Sequence, residues 1–301
     1  MNRVAVVILN YRTPELVLEA LESVSDQLGP DDAAVVVDNQ SGGDDLEVIR
    51  EGAARRGLQG VRLVQSPVNG GFSAGNNLGI RAVRARGYLL LNSDATLRPG
   101  ALERLWQALE EQPDVGLVSP RLLSPDGSTQ ANCFRRHTPV SELLLAARTG
   151  PVQHLLQRWA VAEPPPLQPE WTSFAAVLIR REVVEQIGLL DEGFFMYYED
   201  VDYCLRARAA GWRVLHEPAA VAVHLHAASS QMESLTARRR RRPAYFYAAR
   251  RRYFSKTLGP AGPLLANSLW TLGRSIALAR ELVGNKRPHA VERELMDTWL
   301  S

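Results

Sequence analysis

The chain lacks a long hydrophobic run near its start: Val4–Leu9 ends at Asn10. A bilayer-spanning helix needs about 20 apolar residues and a signal-peptide core about 7–15, so this segment is expected to be neither. Cysteine is also scarce. Cys133 and Cys204 lie far apart with no paired spacing, which argues against a disulfide scaffold or a zinc site and suits reduced thiols in a cytoplasmic protein. Net charge is nearly absent, with 35 Lys and Arg against 33 Asp and Glu, so the molecule as a whole is not a polyanion binder. Basic charge is local instead, in Arg238–Arg242 and Arg250–Arg252. What remains is ordinary for a globular protein: 301 residues, 46% hydrophobic and 23% charged, enough for one large domain or two smaller ones.

Short apolar runs alternate with helical patterns through the first half. Val4–Leu9, Ala34–Val37, Val61–Val64 and Tyr88–Leu91 read as buried parallel strands. Thr13-Pro14 supplies an N-cap and first helical position, and a second helix is expected from about Asp44 to Arg56. This alternation predicts an α/β fold with a doubly wound, mostly parallel sheet, in which ligands bind beyond the carboxyl ends of the strands.

Three strand-end segments carry chemistry. Asp38 follows its strand directly, where a carboxylate can accept a hydrogen bond from a base or ribose; its plain alternative is an Asx turn. Asn69-Gly70-Gly71-Phe72-Ser73-Ala74-Gly75-Asn76-Asn77 permits close backbone approach to a ligand, with Ser73 available to cap the following helix. Its glycine spacing and its place after the third strand distinguish it from the dinucleotide fingerprint. Asn92-Ser93-Asp94 ends the fourth strand on a carboxylate able to hold Mg²⁺ or Mn²⁺, although one Asp is a weak metal signal.

Farther on, Phe194-Phe195-Met196-Tyr197-Tyr198 opens straight into Glu199, Asp200 and Asp202. Aromatic walls raise a carboxylate's pKa and floor a sugar, whereas the bland reading is an acid-rich first helical turn. Between the halves, Val115–Val118 reads as a fifth strand, Ser124-Pro125-Asp126-Gly127 as a tight turn, Glu142–Ala160 as a helix, and Trp171 through Ile179 as one strand. Trp159 and Trp171 suit an acceptor-binding insertion, whose plain alternative is a surface helix and linker. His224 and His226 alternate along an apolar strand and so face one side.

Taken in order, these segments resemble glycosyltransferase family 2, in particular the rhamnosyltransferase-like subgroup of bacterial surface-polysaccharide enzymes. The matching stretches are Val7–Tyr11, Val37–Ser41, Asn69–Asn77, Leu91–Asp94, Gly188–Glu192, Phe195–Asp202 and His224–Ser229, which together span roughly the first 230 residues. The resemblance implies a GT-A fold, a nucleotide-sugar donor and inversion at the anomeric carbon. It implies donor-binding roles for Asn10, Tyr11, Asp38, Asn69, Gly70, Gly71, Phe72, Asn76, Asn92, Ser93 and Asp94, with Asp94 also a metal ligand. Asp200 matches the family's catalytic base, with Glu199 the competing carboxylate, and His224 matches a histidine that completes the metal site in some relatives. Asn92 stands where many relatives carry a first acid, and Phe174 replaces a frequent glycine. Trp171, Tyr197 and Tyr198 are the expected acceptor-binding residues.

The expected organisation is a nucleotide-sugar-binding half over 1–118, an acceptor-binding and catalytic half of the same domain over 119–230, and a helical extension over 231–301. In that extension, basic and aromatic residues interleave, and Leu265, Leu269, Leu272, Ile276 and Val283 form a stripe. Arg274 and Arg280 argue against a spanning helix, so the expectation is peripheral attachment to an anionic membrane surface, at the inner face of the plasma membrane. The expected partners are a nucleotide-sugar and a glycan or lipid-linked glycan acceptor, not nucleic acid. Competing readings are a sugar-phosphate nucleotidyltransferase, an inactive scaffold of the same fold, and a nucleic-acid-binding protein using the arginine run.

Overall fold

Val4–Leu9 lies within β1 (Asn2–Asn10), whose middle is buried on both faces, as a continuous apolar run requires when helices cover a sheet on two sides. The computed structural model describes residues 1–156, 161, 168–225, 235–236, 238–284 and 290–300. After β1 come α1 (Pro14–Ser25), β2 (Ala33–Asp38), α2 (Asp45–Arg55), β3 (Val61–Gln65), α3 (Gly71–Ala82) and β4 (Ala85–Asn92). There follow β5 (Ala95–Leu97), α4 (Ala101–Glu110), β6 (Val115–Leu123), β7 (Thr129–Gln130), β8 (Cys133–Phe134), α5 (Pro139–Ala147) and α6 (Gly150–Leu155). The chain continues through β9 (Trp171–Thr172), β10 (Ala176–Arg180), α7 (Arg181–Ile187), α8 (Glu199–Ala209) and β11 (Arg213–His224). Three helices end the described chain: α9 (Ala244–Leu258), α10 (Gly262–Val283) and α11 (Glu294–Leu300).

The main sheet runs β3-β2-β1-β4-β10-β6-β11-β5, with β7 paired to β6. Pairings among β3, β2, β1 and β4 are parallel, as is β6 with β11, while β10 and β5 run antiparallel to their neighbours. This is the α/β, mostly parallel architecture with a helical C-terminal region that the sequence predicts. Side chains alternating along β1 feed two cores, Val4, Val6 and Ile8 on one face and Ala5 and Val7 on the other.

Local expectations fare differently. The turn at Ser124–Gly127 forms, with Gly127 N–H donating to Ser124 O and Gly127 at φ +84°. The run from Trp171 to Ile179 is not one strand. Trp171-Thr172 pairs with Cys133-Phe134 in a separate two-stranded sheet, whereas β10 enters the main sheet between β4 and β6. Ser173 N–H donates to Asn132 O and Asn92 N–H to Ala175 O, which anchors the break between them. The helix expected from Glu142 stops at Ala147, where Arg148 takes a left-handed conformation. Ser73 lies inside α3 rather than capping it, and its hydroxyl is buried without a partner among the described residues. Trp159, Ala160, Pro164–Pro166 and His226–Ser230 lie outside the described residues.

The C-terminal helices pack on the body. Gly273 of α10 meets α5 so closely that a Cβ there would collide with Leu143 O. Arg252 and Lys256 of α9 reach Asp191 at 2.8 and 2.7 Å, and Lys256 also reaches Asp202 at 2.6 Å.

Candidate active site

Polar residues gather where β1 to β4 end. Asn10 closes β1 and donates its amide to Asp38 at 2.7 Å, Ser41 at 3.0 Å and Asp45 at 3.1 Å. Asp38 also accepts from the Ser41 hydroxyl and from Gln65 at 2.7 Å. Burial would push this carboxyl up, but the donors Ser41, Gln65 and Asn10 outweigh it and hold it below the ordinary range. Thr13 caps α1 by position only. Its hydroxyl turns instead to Ser93 at 3.1 Å, linking the end of β1 to the turn after β4. Tyr11 is exposed beside this network.

Asn39 clamps the glycine segment, donating to Asn69 Oδ1 at 2.9 Å and Gly71 O at 3.1 Å and accepting from Gly70 N–H at 3.2 Å. Gly71 has φ +78°, and a Cβ there would strike the Phe195 carbonyl, which accepts from Phe72 N–H at 2.6 Å. The glycine segment thus docks directly on the aromatic stretch. The adjacent asparagines are inward braces: Asn76 bonds Phe72 O within its own helix, and Asn77 bonds Leu190 O at 2.8 Å and Glu192 at 2.9 Å.

Asp94 and His224, far apart in sequence, meet because β5 pairs antiparallel with β11 in the register Ala95↔His224. The Asp94 carbonyl accepts from Leu225 N–H, and Asp94 Oδ1 lies 3.3 Å from His224 Nε2. Gln130 orients the imidazole, with Oε1 3.2 Å from His224 Nδ1 and Nε2 donating to His224 O at 2.7 Å. A buried carboxylate oxygen beside an imidazole nitrogen, with that ring fixed from behind, fits the donor chemistry of a divalent cation. No cluster of three or more His, Cys, Asp or Glu able to hold a metal occurs among the described residues.

Glu199 and Asp200 open α8. Tyr197 and Tyr198 before them are both left-handed, at φ 73° and 66°, a conformation that costs a bulky residue about 1–3 kcal/mol and clusters at functional sites. Aromatic packing from α9 holds this turn: Tyr198 against Tyr253 at 5.3 Å and Phe246 at 6.1 Å, and Tyr197 stacked on Tyr245 at 6.1 Å. Asp200 is half-buried, and its own helix donates Val201 N–H to it at 2.8 Å. Burial pushes its carboxyl up to about 6, against the pull of that N–H and of His137. Glu199 is raised well above its ordinary range by burial and by Asp200, and its Oε2 has no hydrogen-bond partner among the described residues. Asp202 pairs with Arg206 at 2.9 Å, a structural i,i+4 contact.

Trp171, Tyr197, Tyr198, Glu199 and Asp200 line one cavity of about 390 Å³, so the expected base and acceptor residues come together. The expected donor-side residues do not line it; they lie at and just after the ends of β1 to β4. Lining residues that the sequence reading assigned to no site include His137, Glu142, Arg242 and Arg250. His137 packs on Tyr198 and Trp171, at 5.1 and 5.7 Å, and Arg250 pairs with Glu142 at 2.8 Å. Burial would raise Glu142, but Arg250 and His137 hold it below its ordinary range. A pair separated by so much chain leaves no local signal; the arginine–aromatic interleaving of 238–254 is the one available hint, and it reads equally well as a surface.

Comparison with known proteins agrees in kind. The sequence profile described as Glycosyl transferase family 2 matches residues 5–155, and that of Glycosyl transferase family group 2 matches 88–283. The low-salt glycan biosynthesis hexosyltransferase Agl10 of Haloferax volcanii is 26% identical over 69% of this chain and 62% of its own. The N-acetylglucosaminyl-diphospho-decaprenol L-rhamnosyltransferase of Mycobacterium tuberculosis is 31% identical over 47% of this chain and 48% of its own. The chain therefore spans about half to three-fifths of the length of these relatives. Among solved structures, mannosyltransferase PcManGT from Pyrobaculum calidifontis, in complex with GDP-Man and Mn²⁺, superposes with a TM-score of 0.59 at 18% identity, over 95% of this chain and 77% of that one. That likeness agrees with the expected GT-A fold.

Proposed function

The chain belongs to glycosyl transferase family 2, and from that premise we propose that it moves a sugar from a nucleotide-sugar to a hydroxyl of a glycan or lipid-linked glycan, with inversion. The observation that carries this reading is Asp200, a half-buried carboxylate just after a strained turn, lining a cavity of about 390 Å³. Ligand pockets are typically about 300–1,000 Å³.

In this reading, residues 1–118 hold the donor on Asn10, Tyr11, Asp38, the Asn69–Phe72 segment and Asn92–Asp94. Residues 119–230 supply the base and the acceptor wall, and residues 231–301 complete that wall. Because all four sites of the Asp38 carboxylate already accept hydrogen bonds, its contribution is to fix Asn10, Ser41 and Gln65 around the nucleoside. The acceptor hydroxyl lies between Trp171, Tyr197 and Asp200. Asp200 takes its proton while the oxygen bonds to the anomeric carbon. The bond from that carbon to the nucleoside diphosphate breaks on the opposite face, and the diphosphate leaves with the electron pair. No covalent nucleophile is needed, and general-base assistance of this kind is worth about two to four orders of magnitude. Asp94 and His224 would hold Mg²⁺ or Mn²⁺, which when bound neutralises the charge developing on the diphosphate.

Rhamnose is the first donor sugar to test, given the rhamnosyltransferase among the relatives. The exposed face of α10 supports membrane attachment. Leu264, Leu265, Leu272, Leu278 and Leu282 point outward, while Arg274 and Glu281 pair inward at 2.9 Å. No described helix is long and apolar enough to cross a membrane, so this face would lie on the bilayer. Several charges and aromatics of the tail do not serve that surface: Arg241, Arg242 and Arg250 pair with Asp297, Glu294 and Glu142, and Tyr245, Phe246 and Tyr253 buttress the catalytic turn.

The test is nucleoside diphosphate release from dTDP-rhamnose, UDP-glucose, UDP-galactose and GDP-mannose with an N-acetylglucosaminyl-diphospho-lipid acceptor, followed by NMR of the product's anomeric configuration. Acceptor-dependent release with inversion supports the reading, and retention of configuration sinks it.

A further inference from the structure

We propose that the cavity beyond Asp200 binds the phosphoryl group of a phosphate- or diphosphate-linked acceptor on Arg250. This rests on the glycosyltransferase reading and specifies the chemical class of its acceptor.

Arg250 stands on α9 and is only 5% exposed. Its Nε donates to Glu142 at 2.8 Å and its Nη1 to Asn267 at 2.5 Å, which fixes the plane of the guanidinium. Its Nη2 is buried and has no partner among the described residues, yet the residue lines the cavity. Buried guanidinium N–H groups are ordinarily satisfied, so an unpartnered one on a fixed side chain that lines a cavity marks a place for an acceptor atom. Two more arginines share the wall. Arg242 is held by Glu294 at 2.8 Å and Arg274 by Glu281 at 2.9 Å, so both guanidinium groups are fixed in place rather than extended into solvent. Each of the three guanidinium groups is paired with a carboxylate, and Glu199 and Asp200 share the wall. It is therefore the unsatisfied N–H of Arg250, not a net positive charge, that favours a phosphoryl oxygen, because charge-assisted N–H bonds to phosphate are shorter and about twice as strong as neutral ones.

The donor's own diphosphate is not the natural occupant. Asn10, Asp38, Asp94 and His224, the strand-end groups, do not line this cavity. Asp200 does, so an acceptor anchored by its phosphoryl group at Arg250 presents its sugar to the base. Leu145, Ala146 and Trp270 continue the same wall and offer apolar surface to the carrier beyond the phosphate.

Trp171 and Trp270 line the cavity, so intrinsic fluorescence reports its occupancy. The full chain is titrated in EDTA, without donor, with decyl phosphate, decanol or inorganic phosphate, and a UDP competition is run alongside. No transfer is required, so failure here is separable from failure of the enzymatic reading, which the donor assays decide. The expected result is saturable decyl phosphate binding at least about ten-fold tighter than that of decanol or inorganic phosphate, unaffected by UDP. It should be weakened about ten-fold or more in a folded Arg250→Lys variant, which keeps the charge but loses the fork. In that variant, UDP binding with Mn²⁺ should be unchanged. Equal binding of decanol, equal binding of inorganic phosphate, displacement by metal-free UDP, or undiminished binding in folded Arg250→Lys would each overturn the assignment. If the variant does not fold, the wild-type comparison of decyl phosphate with decanol decides alone.

Discussion

Replacing Asp200 with asparagine should cost activity and increase stability, and both effects should follow pH. Burial holds this carboxyl at about 6 against an ordinary 3.8. At about 1.4 kcal/mol for each pKa unit, the ionised form is disfavoured in the folded protein by about 3 kcal/mol, an upper bound because the side chain is only half-buried. Asparagine keeps the acceptor for Val201 N–H, removes the charge and relieves Glu199. A folded-state pKa above the unfolded one means the native state binds more protons between about pH 4 and 6, so wild-type stability falls as pH rises through that window. Asp200→Asn should therefore be more stable than wild type by about 1–2 kcal/mol at pH 8, with the gain shrinking through pH 6 and gone near pH 4. Denaturant melts at these three values measure it. Turnover should fall about 10²–10⁴-fold, and the wild-type rate should rise with pH to a plateau above about 6. A variant that keeps turnover within a few-fold, or whose stability difference is flat from pH 4 to 8, refutes the reasoning.

Other perturbations separate the parts of the site. Gly71→Ala combines a left-handed backbone with a collision against Phe195 O, so the melting temperature should drop by the equivalent of at least about 1–3 kcal/mol, read by calorimetry. Glu142→Ala strands the Arg250 charge, and chemical denaturation should show a loss of about 3–5 kcal/mol, far more than an exposed pair such as Arg55–Glu51 would give. Asp94→Ala and His224→Ala should each abolish the Mn²⁺ dependence of UDP binding while leaving the fold intact by circular dichroism. Asp191 is held far below the carboxylate range by Arg252 and Lys256 despite burial, so its support of α9 is present above about pH 4 and lost as pH falls further. Asp191→Asn should lower the melting temperature at pH 7, by a difference that shrinks steadily as pH falls below about 4.

The first half of the fold was legible because period and burial agree there: each apolar run is a strand, and each strand ends on polar residues. Asp94 and His224 could be named as a pair only through family resemblance, since the β5–β11 register that joins them is a tertiary fact. The antiparallel insertion of β10 between β4 and β6 left no mark on an apolar pattern that serves either direction. Trp171–Ile179 misled because apolar residues continue through the break at Ser173–Ala175, where buried Phe174 packs edge-on to Tyr203. The tail misled more. Interleaved arginines and aromatics suggest a surface, yet many of them face inward, and α10 turns its leucines out and its charges in. Hydrophobic periodicity gives the stripe but not the side it faces.

The central claim is that the strand ends bind a nucleotide-sugar with a cation's help. The direct measurement is a thermal-shift series on the full chain with dTDP-rhamnose, UDP-glucose, UDP-galactose and GDP-mannose, each with Mn²⁺, Mg²⁺ or EDTA. A ligand at 100 times its dissociation constant adds about 2.7 kcal/mol of stability, which a melting curve resolves readily. The account predicts that one nucleotide class raises the melting temperature with metal and not with EDTA, and that Asp94→Ala erases the shift. A normal unfolding transition that none of the four donors moves, with either metal, would contradict it.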